Sequence, residues 1–312
     1  MTEEPLVSVC CIAYNQENYI AEAVEGFLAQ RAAFPFEIII HDDRSTDRTA
    51  DIIRSYQRKH PRLIKTILQT ENQHSQGKRI FPITFAQARG KYLALCEGDD
   101  YWTDPEKLSR QVALMEERPD YSLCFHTVAR VEQSSGETVS IVRPPVVKES
   151  YTADDLFEHG NFIQTCSTMF RSGMLRGFPD WYYRAGYGDF ALFVYAARLG
   201  PAGFVDEPMA VHRLHAGGVW GGRPYRAHME TYVSTYAVMA DGMGWRGRDS
   251  FRRGFTKLNL ELRHVCLEEG ERWRALRASW AALVAAPPSQ KPYIVKTLGA
   301  HVKHLFQGRV KR

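Results

Sequence analysis

The chain has 312 residues, of which 44% are hydrophobic, 24% charged and 12% aromatic, a globular composition long enough for one large domain or one domain with an extension. It excludes a disordered chain, a collagen-like repeat and a disulfide-dense miniprotein. The net charge of +4 is unevenly placed, because residues 223–312 hold 17 Lys and Arg against 7 Asp and Glu while residues 1–222 hold 23 against 29, so an acidic body and a basic tail are expected to meet different partners.

The start, Met1-Thr2-Glu3-Glu4-Pro5, lacks the basic and apolar regions of a secretory signal. Val7 to Ala13 is a continuous apolar, β-branched run and predicts a strand buried on both faces, ending at Tyr14-Asn15. Ile20, Val24, Phe27 and Leu28 then form one apolar stripe at helical spacing. Phe36 to His41 predicts a second buried strand ending at Asp42-Asp43, followed by Ser45-Thr46-Asp47 as caps for a helix carrying Ile52, Ile53 and Tyr56. Leu63 to Leu68 reads as a third strand, the segment Gly77 to Ala88 as helical, and Lys91 to Cys96 as a fourth strand running into Glu97-Gly98-Asp99-Asp100. Pro105 suits the first turn of a helix whose stripe is Leu108, Val112 and Met115.

After the fourth strand the pattern changes. Tyr121 to Val131 and Glu137 to Val142 predict a hairpin turning at Ser134-Ser135-Gly136, Asn161 to Arg171 a strand, and Asp189 to Leu199 a helix. Gly200 to Arg213 leads into the Gly-rich run His215 to Gly222, and from Tyr225 the chain reads as helices with basic faces. The apolar run Ala281 to Ala286 stops at Pro287-Pro288, far below the ~20 residues that span a bilayer. A protein in solution, or bound to a membrane only at its surface, is expected. None of the six cysteines forms a CxxC pair, which predicts buried, reduced thiols in a cytoplasmic protein.

Strand–helix–strand alternation at this spacing predicts an α/β fold with a mostly parallel sheet. Ligands of such sheets bind beyond the carboxyl ends of the strands, where Tyr14-Asn15, Asp42-Asp43 and Asp99-Asp100 converge in this sequence. Four carboxylates at two strand ends repel unless a cation sits among them. Asp99-Asp100 can supply hard oxygen ligands to Mg²⁺ or Mn²⁺, a cation that also bridges substrate phosphates.

The motifs VSVCCIAYN, EIIIHDDRSTDRT and YLALCEGDD, in this order and spacing, resemble the nucleotide-sugar-binding half of the family 2 glycosyltransferases, which are inverting enzymes of GT-A fold. The resemblance covers residues 5–222. It implies a GT-A domain over 1–222 with a helical, basic extension over 223–312, and a metal-dependent transfer from a nucleotide-diphospho-sugar, with a UDP-sugar as first choice. The acceptor it implies is a saccharide or lipid-linked hydroxyl in polysaccharide or glycolipid assembly.

The resemblance further implies that Tyr14, flanked by Ala13 and Asn15, stacks on the donor base, that Asp43 hydrogen-bonds that base, and that Asp42 supports Asp43. Lys78 and Arg79 fall among basic residues near the donor. Asp100 matches the metal ligand and Asp99 the ribose or outer-sphere contact of a DxD-like motif that here reads Glu97-Gly98-Asp99-Asp100. Asp189 matches the catalytic base, with Gly188 in place of the family's frequent Glu. The run His212 to Trp220 matches a late loop folding over the diphosphate, with Arg213 on phosphate and His215 on metal or phosphate. Thr165, Ser167 and Met169 are expected to line the acceptor side.

A sugar-phosphate nucleotidyltransferase remains as an alternative, but Tyr14-Asn15-Gln16-Glu17 stands where its Gly-rich loop belongs. A dinucleotide oxidoreductase lacks its GxGxxG, and a non-catalytic nucleotide-sugar-binding protein has no need of Asp189. Glu269 to Trp273 is similar to the QxxRW signature of processive synthases except at its first residue, and reads as a charged helix face with one packed Trp. The tail 291–312 combines basic residues with an apolar stripe. It suits either peripheral contact with an anionic membrane at the inner face or docking on the enzyme body. No nucleic-acid partner is expected.

Overall fold

The structure is a computed structural model that describes residues 4–175, 177–218, 223–296 and 298–299. Residues 219–222 of the Gly-rich run and 300–312 of the basic tail therefore lie outside the described residues. Two compact units divide the chain: residues 1–153, 161–178 and 192–215 form the first, and 154–160, 179–191 and 216–312 the second.

In the first unit, ten strands among the described residues form one sheet. They are β1 (Val7–Ala13), β2 (Phe36–Asp42), β3 (Ile64–Leu68), β4 (Tyr92–Glu97), β5 (Tyr101–Trp102), β6 (Leu123–Glu132), β7 (Thr138–Val142), β8 (Ser150–Tyr151), β9 (Met169–Arg171) and β10 (Ala202–Leu214). The order is β3-β2-β1-β4-β9-β6-β10-β5, with β7 beside β6 and β8 beside β10. The first four pair in parallel, as their unbroken apolar runs predict. Beyond β4 the sheet is mixed: β9 is antiparallel to both neighbours, and β10 returns parallel to β6. The expected hairpin is present as β6 and β7, with Gly136 at φ +71° in its turn.

The helices α1 (Ile20–Leu28), α2 (Thr49–Lys59), α3 (Ile80–Phe85) and α4 (Lys107–Glu117) connect these strands. Ile20, Ala23, Val24 and Phe27 of α1 and Leu108, Val112 and Met115 of α4 are buried in the core that covers β1, β2 and β4. The segment expected to be helical over 77–88 forms only the six-residue α3, after a short 3₁₀ turn at His74–Gln76. Pro105 lies just before α4 rather than in its first turn. The expected strand over 161–171 shortens to β9, preceded by a 3₁₀ turn at Thr165–Ser167. Thr165, Ser167 and Met169 are buried. Trp102 Nε1 donates to Cys166 O (2.9 Å) and Gln111 Nε2 to Ser167 O (2.8 Å), so interior hydrogen bonds fix this turn.

At the amino-terminal rim of the sheet, Glu37 is buried and accepts hydrogen bonds from Ser8 Oγ (2.8 Å), Lys65 Nζ (2.7 Å) and the Arg89 guanidinium (2.9 Å). Burial alone would raise its pKa, but these donors outweigh it and hold the carboxyl down at about 2. Because the folded value lies below the unfolded one, the ionised group stabilises the fold above about pH 4.5, and that contribution disappears as pH falls towards 2. Glu37→Gln is expected to cost about 1–2 kcal/mol at neutral pH, since its cationic partners are half exposed and screened. Thermal melts from neutral pH to pH 2 should show the gap between wild type and variant closing on acidification. A constant gap would show that the carboxylate charge is irrelevant.

The second unit contains most of α5 (Ala153–His159), then α6 (Asp180–Arg184), the first turn of α7 (Gly188–Leu199), α8 (Tyr225–Met243), α9 (Asp249–Glu268) and α10 (Arg272–Ala285). From Leu192 onward α7 belongs to the first unit. Phe157, Phe190 and Tyr236 meet edge-on or tilted at centroid distances of 5.3 and 5.4 Å around Tyr236. Ala275, Ala278, Ser279 and Ala282 form the buried face of α10. Trp273, expected to be packed, is 66% exposed: it stands on the opposite side of the helix from that alanine face. All six cysteines are free and buried. Among the described residues no helix is long and apolar enough to cross a membrane.

Candidate functional site

Register levels the strand ends. Ala13 pairs with Asp42, and Ile12 with Glu97, so parallel β1, β2 and β4 finish at one rim. The chain builds β1, β2 and β3 outward in one direction and then crosses to place β4 on the other side of β1. The reversal makes the crevice between β1 and β4 the topological switch point, where open α/β sheets bind ligands. Ala13, Tyr14, Asn15, Asp42, Asp43, Lys78, Asp99, Asp100, Arg213 and His215 all belong to the first unit.

The loops after β1 and β2 are stitched together. Asn15 adopts φ +52°, a left-handed conformation that Asn tolerates better than most residues. Its backbone N–H donates to Ser45 Oγ (2.9 Å), and its Oδ1 accepts from the Thr46 N–H (2.8 Å). Gln16 N–H donates to Thr49 Oγ1 (2.7 Å) and Glu17 N–H to Asp47 Oδ2 (3.0 Å). The Ser-Thr-Asp run expected to cap α2 thus serves the neighbouring loop as well, and Arg48 takes the cap position without a side-chain cap. Held on this frame, Tyr14 keeps its ring 47% exposed.

Asp42 and Asp43 are both buried. Asp42 Oδ2 accepts from Ser45 N–H (3.1 Å), while Oδ1 has no partner in the protein. The Asp43 carboxylate accepts from the backbone N–H groups of Gln73 (2.7 Å) and His74 (2.9 Å). It therefore anchors the 72–78 segment, whose Lys78 Nζ donates to Gln73 Oε1 (2.6 Å). Sequence reasoning missed this clamp, because nothing in the pattern links a strand-end aspartate to backbone 30 residues later.

At the end of β4, Gly98 is packed so closely that a Cβ there would lie 2.5 Å from Gln16 Oε1 and 2.7 Å from Ile20 Cδ1. This close approach brings Asp99-Asp100 against the β1 loop. Asp100 Oδ1 accepts from Arg213 N–H (2.9 Å). Burial, then the neighbouring Asp99 charge, push the Asp100 carboxyl well above the usual carboxylate range. His215 Nε2 lies 3.1 Å from Asp99 Oδ2, with its ring 4.6 Å from that of Tyr19.

The run expected to be a loop from His212 begins as strand: His212, Arg213 and Leu214 close β10, in register with Arg130, Val131 and Glu132 of β6. Pairing to β6 outweighs the loop character of the sequence. Burial and then the Arg130 charge lower the His212 pKa to about 4, keeping the ring neutral at physiological pH. The Arg213 guanidinium is enclosed. It donates to Asp99 O (2.9 Å), Gln133 Oε1 (3.1 Å) and Glu22 Oε2 (2.9 Å) and faces the rings of Tyr19 and Tyr101 at 5.2 and 4.5 Å. It braces the Asp99-Asp100 turn. Glu22, Tyr19, Tyr101 and Gln133 are scattered through the chain, and no spacing in the sequence points to them.

Asp189 belongs to the second unit, half-buried in the first turn of α7. The approach to it is fixed. Gly186 and Tyr187 N–H groups donate to Thr235 Oγ1 (3.0 and 3.2 Å), and Tyr187 Oη shares a 2.7 Å hydrogen bond with His228 Nδ1. Burial pushes the Tyr187 phenol up to about 12, with Asp189 adding to the rise.

Among the described residues no three His, Cys, Asp or Glu side chains form a ready-made cation cage. The donor set fits a cation of another kind, one that takes one or two carboxylates and completes its shell with phosphates and water. Asp100, destabilised as an anion by burial and by Asp99, gains from a positive charge beside it.

The profile described as glycosyl transferase family 2 matches residues 8–178. An uncharacterized protein of Mycobacterium tuberculosis is 43% identical over 216 residues, covering 69% of this chain and 60% of that protein, so the chain spans less than two thirds of that relative's length. The Escherichia coli UDP-Glc:alpha-D-GlcNAc-diphosphoundecaprenol beta-1,3-glucosyltransferase WfaP is 39% identical over 111 residues, 36% of this chain and 41% of that one. Among solved structures, residues 1–349 of S. aureus TarS in complex with UDP-GlcNAc superpose with a TM-score of 0.65 at 18% identity, covering 95% of this chain and 87% of that TarS fragment. The shared fold is of the GT-A glycosyltransferase kind, a mixed α/β sheet with flanking helices.

Proposed function

The chain belongs to glycosyl transferase family 2, and we propose that it transfers a sugar from a nucleotide-diphospho-sugar to an acceptor hydroxyl with inversion and with the help of a divalent cation. The observation that carries this reading is the level register of β1, β2 and β4, which sets Tyr14, Asp42-Asp43 and Asp99-Asp100 along one rim at the switch point. The exposed Tyr14 ring offers a face to the donor base. Asp42 Oδ1, buried without a partner, supports a polar contact there, and Asp43 holds the 72–78 segment that carries Lys78. Asp100, with His215 and Asp99 beside it, would hold Mn²⁺ or Mg²⁺. Bound there, the ion would neutralise charge developing on the departing diphosphate.

Inversion is one in-line displacement. The acceptor oxygen bonds to the anomeric carbon as the bond to the diphosphate oxygen breaks, and Asp189 takes the acceptor's proton. The reading assigns catalysis to residues 1–222 and an accessory role to 223–312, with 154–160 and 179–191 folding beside that extension. A UDP-sugar donor and a lipid-linked saccharide acceptor are the first choices, supported by the names of WfaP and of the TarS complex. Such an acceptor places the work at the cytoplasmic side of a membrane, in surface-polysaccharide or glycolipid assembly.

Melting the protein with UDP-, GDP-, TDP- and CDP-sugars, each with Mn²⁺ or with EDTA, tests the reading. A donor at a hundredfold excess over its Kd stabilises by about 2.7 kcal/mol, so the cognate sugar should raise the melting temperature by several degrees, and only with metal. No response to any donor, or an equal response in EDTA, would count against it.

A further inference from the structure

Helix α10 is inverted relative to an ordinary surface helix. Its fully buried face is built from small residues, Ala275, Ala278, Ser279 and Ala282, flanked by the half-buried Leu276 and Leu283, whereas both of its tryptophans and its valine face solvent. Trp273, Trp280 and Val284 are 66%, 61% and 63% exposed. With the exposed Arg277 they recur at offsets of 0, 4, 7 and 11, one stripe opposite the alanine face. The two indoles stand two turns apart, about 10 Å along the axis. Beyond Pro287-Pro288, residues 291–296 are again helical, and there Tyr293 and Val295 are exposed beside Lys291 and Lys296, while Ile294 packs inward against Ala282 and Ala286.

Charge decides what covers this face. From Arg272 to Arg312 the sequence holds nine Lys and Arg and no Asp or Glu. Among the described residues, no hydrogen bond or ion pair to an acid is found for Arg272, Arg277, Lys291 or Lys296, in contrast to Arg274, which pairs with Glu230. A second copy meeting this face through the same patch would bring like charges together. A nucleic acid would satisfy the cations but gives no reason for Val284 and Val295 to face outward. Tryptophan, tyrosine and aliphatic side chains set among unpaired cations match the headgroup region of an anionic bilayer, where indoles settle at the polar–apolar boundary and basic groups meet lipid phosphates.

We propose that the outer face of α10 and the exposed residues of 291–296 form a peripheral docking surface for anionic membranes, with Trp273 and Trp280 as its apolar anchors. The proposal is independent of the transfer reaction, since binding to lipid requires no donor.

Flotation of the full chain with phosphatidylglycerol-containing vesicles and with phosphatidylcholine vesicles tests it, with intrinsic tryptophan fluorescence followed in parallel. The protein should float with the anionic vesicles, with a blue-shifted emission, and should be released as salt screens the charges. The double variant W273A/W280A should lose at least about tenfold in vesicle affinity, and Arg277→Glu should weaken binding to anionic vesicles with both indoles intact. Circular dichroism and melting temperature should match wild type, because the replaced side chains are solvent-facing. Failure of the wild type to float, equal binding by the double variant, or a stripe-dependent dimer or RNA complex in place of vesicle binding would each overturn the proposal.

Discussion

Asp189→Asn is expected to reduce turnover by at least about 100-fold, within the range general-base catalysis supplies, while donor binding with metal stays at the wild-type level. A neutral hydroxyl is a poor nucleophile, and its proton must leave as the oxygen attacks; the amide of Asn cannot take it. A carboxylate in the first turn of α7 favours the helix dipole by roughly 0.3–1 kcal/mol, and the turn is secured independently by the hydrogen bonds of Gly186 and Tyr187 to Thr235. A kcat collapse with an unchanged melting profile and unchanged donor affinity would therefore identify chemistry rather than folding as the lost function. Normal turnover in the variant would place the base on another residue.

Asp100→Asn separates stability from function in opposite directions. The amide carbonyl can still accept the Arg213 N–H that Oδ1 accepts in the wild type. Because burial and Asp99 raise the carboxyl's pKa in the folded state, its ionised form opposes folding at neutral pH, and a neutral isostere removes that penalty. The metal-free variant should melt at a higher temperature than wild type. The same substitution deletes a hard anionic ligand, so the gain in nucleoside-diphosphate affinity on adding Mn²⁺ should disappear. Turnover should fall about 100-fold or more, equivalent to roughly 3 kcal/mol of transition-state stabilisation. Titrating UDP with and without Mn²⁺ by calorimetry, beside apo melting curves, reads both effects. Retained metal dependence would remove Asp100 from the cation site, whatever the melting curves show.

The fold was legible wherever apolar periodicity was strong. The runs from Val7 and Phe36 became β1 and β2 within a residue of expectation, and the Ile20 stripe became α1. The expectation weakened where pairing partners decide conformation. The 161–171 segment is apolar enough for a strand, yet its carbonyls at Cys166 and Ser167 accept from Trp102 and Gln111 and hold a turn instead. His212 to Leu214 reads as loop, yet β6 supplies a ladder and draws it into β10.

The sequence by itself determined the strand-end clusters Tyr14-Asn15, Asp42-Asp43 and Asp99-Asp100 and their family, because buried parallel strands demand unbroken apolar runs whose polar endings are conspicuous. Tertiary structure alone decided what those groups do to one another. It enclosed Arg213 between Glu22, Tyr19 and Tyr101, and it set Asp43 on the backbone of Gln73 and His74. It also turned Trp273 and Trp280 outward. Such contacts join residues far apart in the chain, and their energies depend on burial and register, which no local spacing encodes.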